Sequence, residues 1–124
     1  HVTVGDHVTL AGMVAVHQFC KIGRHSFIAG GSLVRKDIPP YVKAAREPLS
    51  FVGINSVGLR RRGFDTNTIK SIQNIYRILF QKKHNNTQAI SIIEAELEAT
   101  KERDEILSFV QNSQRGIMKG YFQN

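Results

Sequence analysis

Aliphatic residues recur at every sixth position over the first third of the chain. A fixed short period of this kind indicates a stack of repeated structural units, and it outweighs any local assignment. One inward aliphatic residue per hexad predicts short flat strands joined by tight corners. Three hexads close one coil, so residues 4–21 and 22–39 are predicted to form two coils of a parallel β-helix. The repeated positions are Val4, Leu10, Val16, Ile22, Ile28 and Val34.

The position after the aliphatic residue is small in four of the six hexads, which suits tight corners. The position after each aliphatic residue is occupied by Gly5, Ala11, His17, Gly23, Ala29 and Arg35. A plain β-meander with accidental spacing is the alternative interpretation. A repeat array needs about three or more units to bury a continuous core. We therefore expect further coils to precede His1 in the complete protein.

The hexad pattern ends at Pro39 and Pro40, because proline cannot donate to a strand ladder. Residues 1–40 are thus the expected coil region, 41–63 a connecting segment and 64–124 a C-terminal α-helical domain. Asp65 is predicted to cap a first helix. The apolar stripe of this helix is typical of an amphipathic helix, with Ile69, Ile72, Ile75, Tyr76, Leu79 and Phe80 at its positions.

Two further helices are predicted downstream of residues 82–86, where the polar stretch KKHNN ends the first helix. Thr87 is the predicted cap of the second helix, and Arg103 or Asp104 is the predicted start of the third. Their apolar stripes predict packing between helices and against the coils. The stripe residues are Ile90, Ile93 and Leu97, then Ile106, Leu107, Phe109 and Val110.

Positive charge is concentrated in the first half of the chain. The net charge is +7, and residues 1–62 carry nine Lys and Arg against three Asp and Glu. This excess favours an acidic partner or a ligand with phosphate groups, with nucleic acid, an acidic carrier protein and a nucleotide-sugar all open. We expect no nucleic acid, because basic and aromatic residues do not interleave. No apolar run approaches the roughly 20 residues of a membrane span.

Histidine and cysteine suggest two further features. His7 and His25 lie three hexads apart, so they should stack on neighbouring coils about 4.8 Å apart, unless they are simply an exposed pair in turns. We expect each to lower the pKa of the other. His17 and Cys20 have the spacing of a weak metal pair, but residues three apart on a strand face opposite ways. We therefore predict no metal site, and interior packing for Cys20, whose lone thiol fits a cytoplasmic location.

Several segments carry a resemblance that goes beyond hexads. They are residues 1–6 (HVTVGD), 15–20 (AVHQFC), 37–42 (DIPPYV), 58–64 (GLRRRGF) and 113–117 (SQRGI). In order and spacing the chain resembles the UDP-N-acetylglucosamine O-acyltransferases that begin lipid A synthesis. The resemblance covers essentially the whole chain and implies a left-handed β-helix, a homotrimer and a cytoplasmic enzyme.

The resemblance also implies a reaction. A β-hydroxyacyl chain moves from the phosphopantetheine arm of acyl carrier protein to the 3-hydroxyl of UDP-N-acetylglucosamine, with a histidine as general base and no metal or separate cofactor. The family's base lies upstream of His1. The resemblance therefore implies no catalytic base in this chain, with His1 in a supporting role, and no activity for the chain alone.

Individual residues match family positions in this resemblance. Gly30 matches the position that limits acyl length, where glycine leaves room for a long chain. Val57 departs from the family pattern, which has an acidic residue near the nucleoside. Phosphate recognition suits the arginine fork. The implied substrate-binding residues are His1, His17, Gln18, Asn55, Arg61 and Arg62.

Other functions fit parts of the pattern. Another hexapeptide-repeat acyltransferase, such as the N-acyltransferase of the same pathway or an acetyl-coenzyme A enzyme, would share the coils. A basic solenoid that binds nucleic acid, or a purely structural trimerisation module, belongs to a different class. The segment 58–64 and the three helices favour the O-acyltransferase.

Overall fold

The computed structural model describes residues 1–80 and 84–120, and it begins with six strands of two residues each. Every one of these strands carries one of the repeated aliphatic residues, so the predicted short strands are confirmed. The stretch predicted to end the first helix is residues 82–86, of which Lys82 and Lys83 lie outside the described residues. The strands are β1 (Thr3–Val4), β2 (Thr9–Leu10), β3 (Ala15–Val16), β4 (Lys21–Ile22), β5 (Phe27–Ile28) and β6 (Leu33–Val34).

The six strands form two stacked coils. β1 pairs with β4, β2 with β5 and β3 with β6, all in parallel. Each residue pairs with the one three hexads later, such as Val4 with Ile22. This parallel pairing confirms the predicted coil and rules out an antiparallel meander. We call β1–β3 with their corners the first coil, and β4–β6 with theirs the second coil.

Each of the five corners between these six strands contains one residue with a left-handed backbone. His7, Met13, Phe19, His25 and Gly31 follow one another at intervals of six, with φ between 58° and 74°. Residues other than glycine avoid this region, at a cost of roughly 1–2 kcal/mol each. The pattern of side chains did not reveal this position, because only one of the five residues is the glycine that such a backbone favours.

A third layer covers the second coil where the sequence suggested a connecting segment. Its strand β7 pairs in parallel with β5, with Lys43 opposite Phe27, so its offset falls short of three full hexads. The hexad count misses this strand because the layer is shorter than a regular coil. Buried Val42 and Ala44 flank exposed Lys43, which is the alternation of a strand. The elements of this segment are β7 (Val42–Ala45), the antiparallel β8 (Ser50–Ile54) and α1 (Ser56–Arg61).

The first long helix forms as predicted. It is α2 (Thr66–Leu79), and Asp65 caps it by accepting a hydrogen bond from the Thr68 amide at 2.8 Å. The cap satisfies one of the free amides of the first turn. The helix buries five of the six residues of the predicted stripe, and the sixth, Phe80, is its half-buried C-cap. The five buried residues are Ile69, Ile72, Ile75, Tyr76 and Leu79.

The next two helices begin at other residues than predicted. α3 (Asn86–Glu96) is capped by Asn85, not Thr87, because Gln88 completes a reciprocal capping box with Asn85. α4 (Lys101–Gln111) is capped by the Thr100 hydroxyl, so the start predicted at residue 103 or 104 is wrong by one turn. The predicted stripes hold, since the buried residues include Ile90, Ile93, Ile106, Leu107 and Val110.

After α4 the chain returns to the coils. The Ser113 hydroxyl donates to the Asp37 carboxylate at 2.6 Å, and the Met118 amide donates to the Asp37 carbonyl at 3.0 Å. Strand β9 (Lys119–Gly120) then pairs in parallel with β8. The last described part of the segment expected to be helical is therefore part of the main sheet, which has the order β2-β5-β7-β8-β9.

The buried apolar residues form one continuous core. It extends from the second coil through the third layer into α2, α3 and α4. Tyr76 joins these regions, because its buried hydroxyl donates to the Pro40 carbonyl at 2.5 Å. Within the described residues, no helix combines the length and the apolar character that crossing a membrane requires.

Candidate functional site

A groove of about 400 Å³ lies between the five-stranded sheet and α1. Its sheet side carries Thr9 and Phe27. Its other side carries Asn55, Arg61 and Arg62, three of the predicted binding residues. The structure therefore brings these three together in one concave surface, which is the usual form of a small-molecule site.

The groove is cationic with an apolar wall. Lys43 joins Arg61 and Arg62 along it, and the described residues that line it include no carboxylate. The Lys43 ammonium lies 5.8 Å from the centre of the Phe27 ring, within cation–π range. Lys43 was not predicted as a site residue, because its place on β7 depends on the shortened third layer. Such a surface suits a phosphate group attached to a less polar chain.

Asn55 is held by three backbone groups. Its amide nitrogen Nδ2 donates to the His25 carbonyl at 2.9 Å, and its own backbone amide donates to the Tyr41 carbonyl at 2.8 Å. Its Oδ1 accepts a long bond of 3.4 Å from the Gly58 amide and caps α1. Buried Asn55 therefore fixes the start of α1 to the corner of the second coil.

Arg62 is held at the other end of α1 by the same corner. Its Nη1 lies 3.3 Å from Nδ1 of His25. A guanidinium can only donate, so Nδ1 must accept. The imidazole is therefore neutral, with its proton on Nε2.

Rings surround His25 on several sides. Its ring stacks on His7 with 4.9 Å between centres, which confirms the predicted contact between coils. Tyr41 stacks at 5.7 Å, and Phe64 meets the ring edge-on at 5.0 Å. The pKa of His25 is lowered to about 4, mainly by burial, then by Arg24, Arg62 and His7. The predicted mutual effect of the two histidines is thus a small part of the shift.

Gly58 gives the side chains of Asn55 and Arg62 the space they occupy. A Cβ at Gly58 would lie 2.5 Å from Nδ2 of Asn55 and 3.1 Å from Nη1 of Arg62. Both distances are too short for a side chain to fit without displacing them. Glycine at this position therefore belongs to the site.

A partly buried polar network supports the same corner from α4. Arg24 Nε donates to Glu105 at 2.7 Å, and Arg24 Nη2 donates to the Tyr41 hydroxyl at 3.1 Å. The Tyr41 hydroxyl donates to Glu105. Burial raises the pKa of Tyr41, and Glu105 raises it further. Glu105 lies 64 residues from Tyr41 and 81 from Arg24, so no local pattern could have revealed this network.

The other predicted ligand residues lie at a different corner. The His1 ring stacks on Phe19, with 5.5 Å between centres. His17 and Gln18 are exposed beside it, and the Gln18 carbonyl accepts a hydrogen bond from Arg115 at 3.1 Å. None of the contacts of the described residues joins this corner to the groove. A single chain therefore presents two separate groups of predicted site residues.

Gly30 and Cys20 both lie where the two coils pack closely. Gly30 lies at the corner next to Gly12 of the first coil, where a Cβ would lie 3.2 Å from the Gly12 carbonyl. Cys20 is fully buried with its sulfur 3.8 Å from the Val34 carbonyl, and burial raises the pKa of its thiol. Interior packing of Cys20 is therefore confirmed.

Comparison with known proteins identifies the family. Residues 37–118 match the family model described as UDP N-acetylglucosamine O-acyltransferase, domain 2. The chain belongs to the UDP-N-acetylglucosamine O-acyltransferase family. Within this family, a protein of Myxococcus xanthus named acyl-[acyl-carrier-protein]–UDP-N-acetylglucosamine O-acyltransferase is 43% identical over 118 residues. The resemblance stated from the sequence motifs is thus confirmed.

Solved structures of UDP-N-acetylglucosamine acyltransferases superpose on the chain. The enzyme of Bacteroides fragilis matches with a TM-score of 0.93 and 43% identity, over 95% of this chain and 46% of that one. The Arabidopsis enzyme matches with a TM-score of 0.88 and 35% identity, over 96% of this chain and 45% of that one. The Myxococcus relative is covered over 46% of its length, so the chain spans about half of the curated relatives it matches.

Proposed function

We propose that the chain forms the C-terminal part of an O-acyltransferase of lipid A biosynthesis. The enzyme moves a β-hydroxyacyl chain from acyl carrier protein to the 3-hydroxyl of UDP-N-acetylglucosamine. The observation that carries this proposal is the cationic groove of Asn55, Arg61 and Arg62 in a chain of this family. Both proposed substrates carry phosphate, and the groove offers it the cations of Lys43, Arg61 and Arg62.

The reaction needs a base, a polarised thioester and no further cofactor. A histidine takes the proton of the sugar 3-hydroxyl, whose oxygen attacks the acyl carbonyl carbon. Backbone amides stabilise the tetrahedral oxyanion. The carbon–sulfur bond then breaks, and the proton passes to the departing thiolate of the phosphopantetheine arm. We place the base in a coil upstream of His1, with His1 in a supporting role.

The groove and the corner that carries His1, His17 and Gln18 can form one site only if two subunits meet. We propose a homotrimer with closed threefold symmetry, in which the groove of one subunit faces His1, His17 and Gln18 of its neighbour. The separation of these two groups within one chain supports this arrangement. Gly30 would leave room for a long acyl chain at the same cleft.

The remaining proposals concern architecture and location. The coils are left-handed, and residues 1–40 are the last coils. Residues 41–63, which form the third layer, connect them to a helical domain that begins at residue 64 and returns to the coils over residues 113–120. A cytoplasmic location fits the single thiol of Cys20. The handedness is the unusual one for parallel crossovers, so an experimental structure of the trimer would test it directly.

The test of the function compares the 124-residue chain with the same chain extended by the coils encoded upstream. We expect no transfer of a β-hydroxyacyl group from carrier protein by the chain alone. The extended protein should be active, and the added coils should contain a histidine. Turnover by the chain alone would contradict the placement of the base. An inactive extended trimer that binds neither substrate would overturn the proposed function.

Binding distinguishes the proposal from a nucleic-acid-binding solenoid. UDP-N-acetylglucosamine and carrier protein should bind the extended trimer, and Arg61→Ala should weaken both by roughly tenfold, as expected for one charged hydrogen-bonding partner. Random duplex DNA serves as the control ligand. Tight DNA binding with a steep dependence on salt, and no nucleotide-sugar binding, would favour the solenoid.

A further inference from the structure

His25 is a corner residue whose hydrogen bonds reach both ends of α1. Its side chain accepts from Arg62 at 3.3 Å, and its backbone carbonyl accepts from Asn55 at 2.9 Å. Asn55 is the N-cap of α1, and Arg62 is its C-cap. The position of two groove residues therefore depends on a residue outside the set that lines the groove.

A neutral histidine has three properties at this position. Its flat ring supports the fold, because His7 and Tyr41 both stack on it, at 4.9 and 5.7 Å between centres. An acceptor is needed at the Nδ1 position to meet Arg62. The ring must also be uncharged, because a protonated imidazole has two donors and no acceptor.

Burial and the charges around His25 together keep it neutral. Arg24 on the same corner and Arg62 at the end of α1 are cations, and His7 of the first coil is a further titratable neighbour. Glu105 of α4 is the carboxylate that favours a charged ring, but it is bonded to Arg24 and Tyr41. The lowered pKa of His25, about 4, agrees with this geometry. The imidazole therefore remains an acceptor at neutral pH.

We propose that His25 is a positioning residue of the groove, whose neutral imidazole orients Arg62 toward a bound phosphate while its carbonyl anchors Asn55. The identity of the ligand rests on the proposed function, whereas the positioning of Arg62 does not. A long arginine side chain loses rotamer freedom when it binds a ligand, and fixing it beforehand removes part of that cost. Gly58 completes the arrangement by leaving Arg62 and Asn55 room to lie against α1.

Matched substitutions distinguish the role of the His25 ring from the role of its hydrogen-bond acceptor. His25→Phe keeps a ring for the stack and removes the acceptor. His25→Asn removes the ring and keeps a polar atom near the Nδ1 position. His7→Phe is the control for the stack, because none of the described contacts of His7 reaches Arg62. Thermal unfolding of each variant reports whether the fold is retained.

The first measurement is the binding of UDP-N-acetylglucosamine and of 4′-phosphopantetheine to the extended trimer at pH 7. His25→Phe should lower the affinity for the ligand that contacts Arg62 by roughly tenfold, and Arg62→Ala should do the same. A double variant that combines His25→Phe with Arg62→Ala should lose no more affinity than either single variant, because both substitutions remove the same interaction. The affinities of His25→Asn and His7→Phe should stay within about threefold of that of the protein without substitutions. Additive losses in the double variant would overturn the proposal.

Nuclear magnetic resonance supplies a readout that needs no ligand. The imidazole nitrogens of His25 should show a proton on Nε2 and none on Nδ1 at pH 7. A slowly exchanging Arg62 guanidinium signal should disappear in His25→Phe and persist in His25→Asn. A proton on Nδ1 would overturn the positioning role. Failure of the unchanged extended protein to bind either ligand would instead count against the proposed function, while these signals still decide the role of His25.

Gly58→Ala tests the same arrangement from the opposite side. The added methyl group should push Asn55 and Arg62 aside, since both collide with it through side-chain atoms. We expect the slow Arg62 signal to be lost even though His25 is intact. An unchanged signal in this variant would show that Arg62 is held by something other than this corner.

Discussion

The two coils have the same sequence pattern but very different surroundings. Leu10 of the first coil is 43% exposed, whereas Ile28, its partner in the second coil, is fully buried. Val4 and Ile22 differ in the same way, at 47% and 2%. The second coil has the first coil on one side and the third layer on the other, while the first has a described neighbour on one side only. The hexad thus fixes which way a side chain points, and the adjacent layers decide how much it is buried.

Truncating the paired core residues should show the largest difference between the coils. Ile28→Ala removes a fully buried side chain and should lower the free energy of unfolding by about 2–5 kcal/mol. Leu10→Ala should cost about 1–2 kcal/mol, because much of its side chain already meets solvent. Urea unfolding of the two variants measures both values. Equal losses would mean that an association between chains covers the first coil in solution.

The paired corner glycines of the two coils should respond alike to substitution. A Cβ at Gly5 would lie 2.6 Å from the Arg24 amide, and one at Gly23 would lie 2.4 Å from the Pro40 nitrogen. Both collisions are with backbone of the next layer, so each alanine substitution should cost about 1–3 kcal/mol. The control is Gly12→Ala, where nothing lies within 4 Å. A tolerated Gly5→Ala would show that the first coil is looser on its covered side too.

Within the stacked pair of histidines, His25 should make the stability of the fold depend on pH. Because the pKa of folded His25 is about 4, the unfolded chain takes up a proton below about pH 6.5 that the folded chain does not. Stability that is present above pH 6.5 should therefore fall as the pH drops toward 4. Subtracting the pH profile of His25→Phe from that of the unchanged chain isolates this contribution. A slope that persists unchanged in His25→Phe would assign the titration to another group.

The smallest effect is expected at the left-handed corner positions. Met13 has φ of 63° and is almost fully exposed, whereas its partner Gly31 has φ of 74°. Met13→Gly should stabilise the chain by up to about 1 kcal/mol through relief of this backbone, and Gly31→Ala should cost a similar amount. Chemical denaturation curves compare the two. A destabilising Met13→Gly would show that Met13 has a packing role its exposure does not suggest.

The parts of the fold that depend on local periodicity could be predicted from the sequence. One aliphatic residue per hexad predicted the six short strands, and the stripe of Ile69 and its partners predicted α2. Helix starts were less predictable, because Asn85 and Thr87 can both cap a helix. Gln88 decides between them by bonding back to Asn85. The shortened third layer was missed, because the offset between Phe27 and Lys43 breaks the period.

The residues of the candidate groove could be predicted only where they lie in or beside a sequence motif. Asn55, Arg61 and Arg62 lie in or beside one short segment, and they do meet in the groove. The residues that position them are remote in sequence, since His25 lies 30 residues from Asn55 and 37 from Arg62. Lys43 could be placed only once the register of β7 was known. Contacts of this kind arise from how layers stack, which no local pattern encodes.

The way the main sheet ends affects how the protein behaves at high concentration. A row of parallel coils has a free edge of unpaired amides and carbonyls, which could accept another chain and grow into a fibre. Here β8 runs antiparallel to the layers beneath it, and the outermost described strand, β9, has only two residues, one of them exposed Lys119. A short charged strand is a poor template for a further layer. The return of the chain to the sheet thus protects against end-to-end aggregation as well as closing the core.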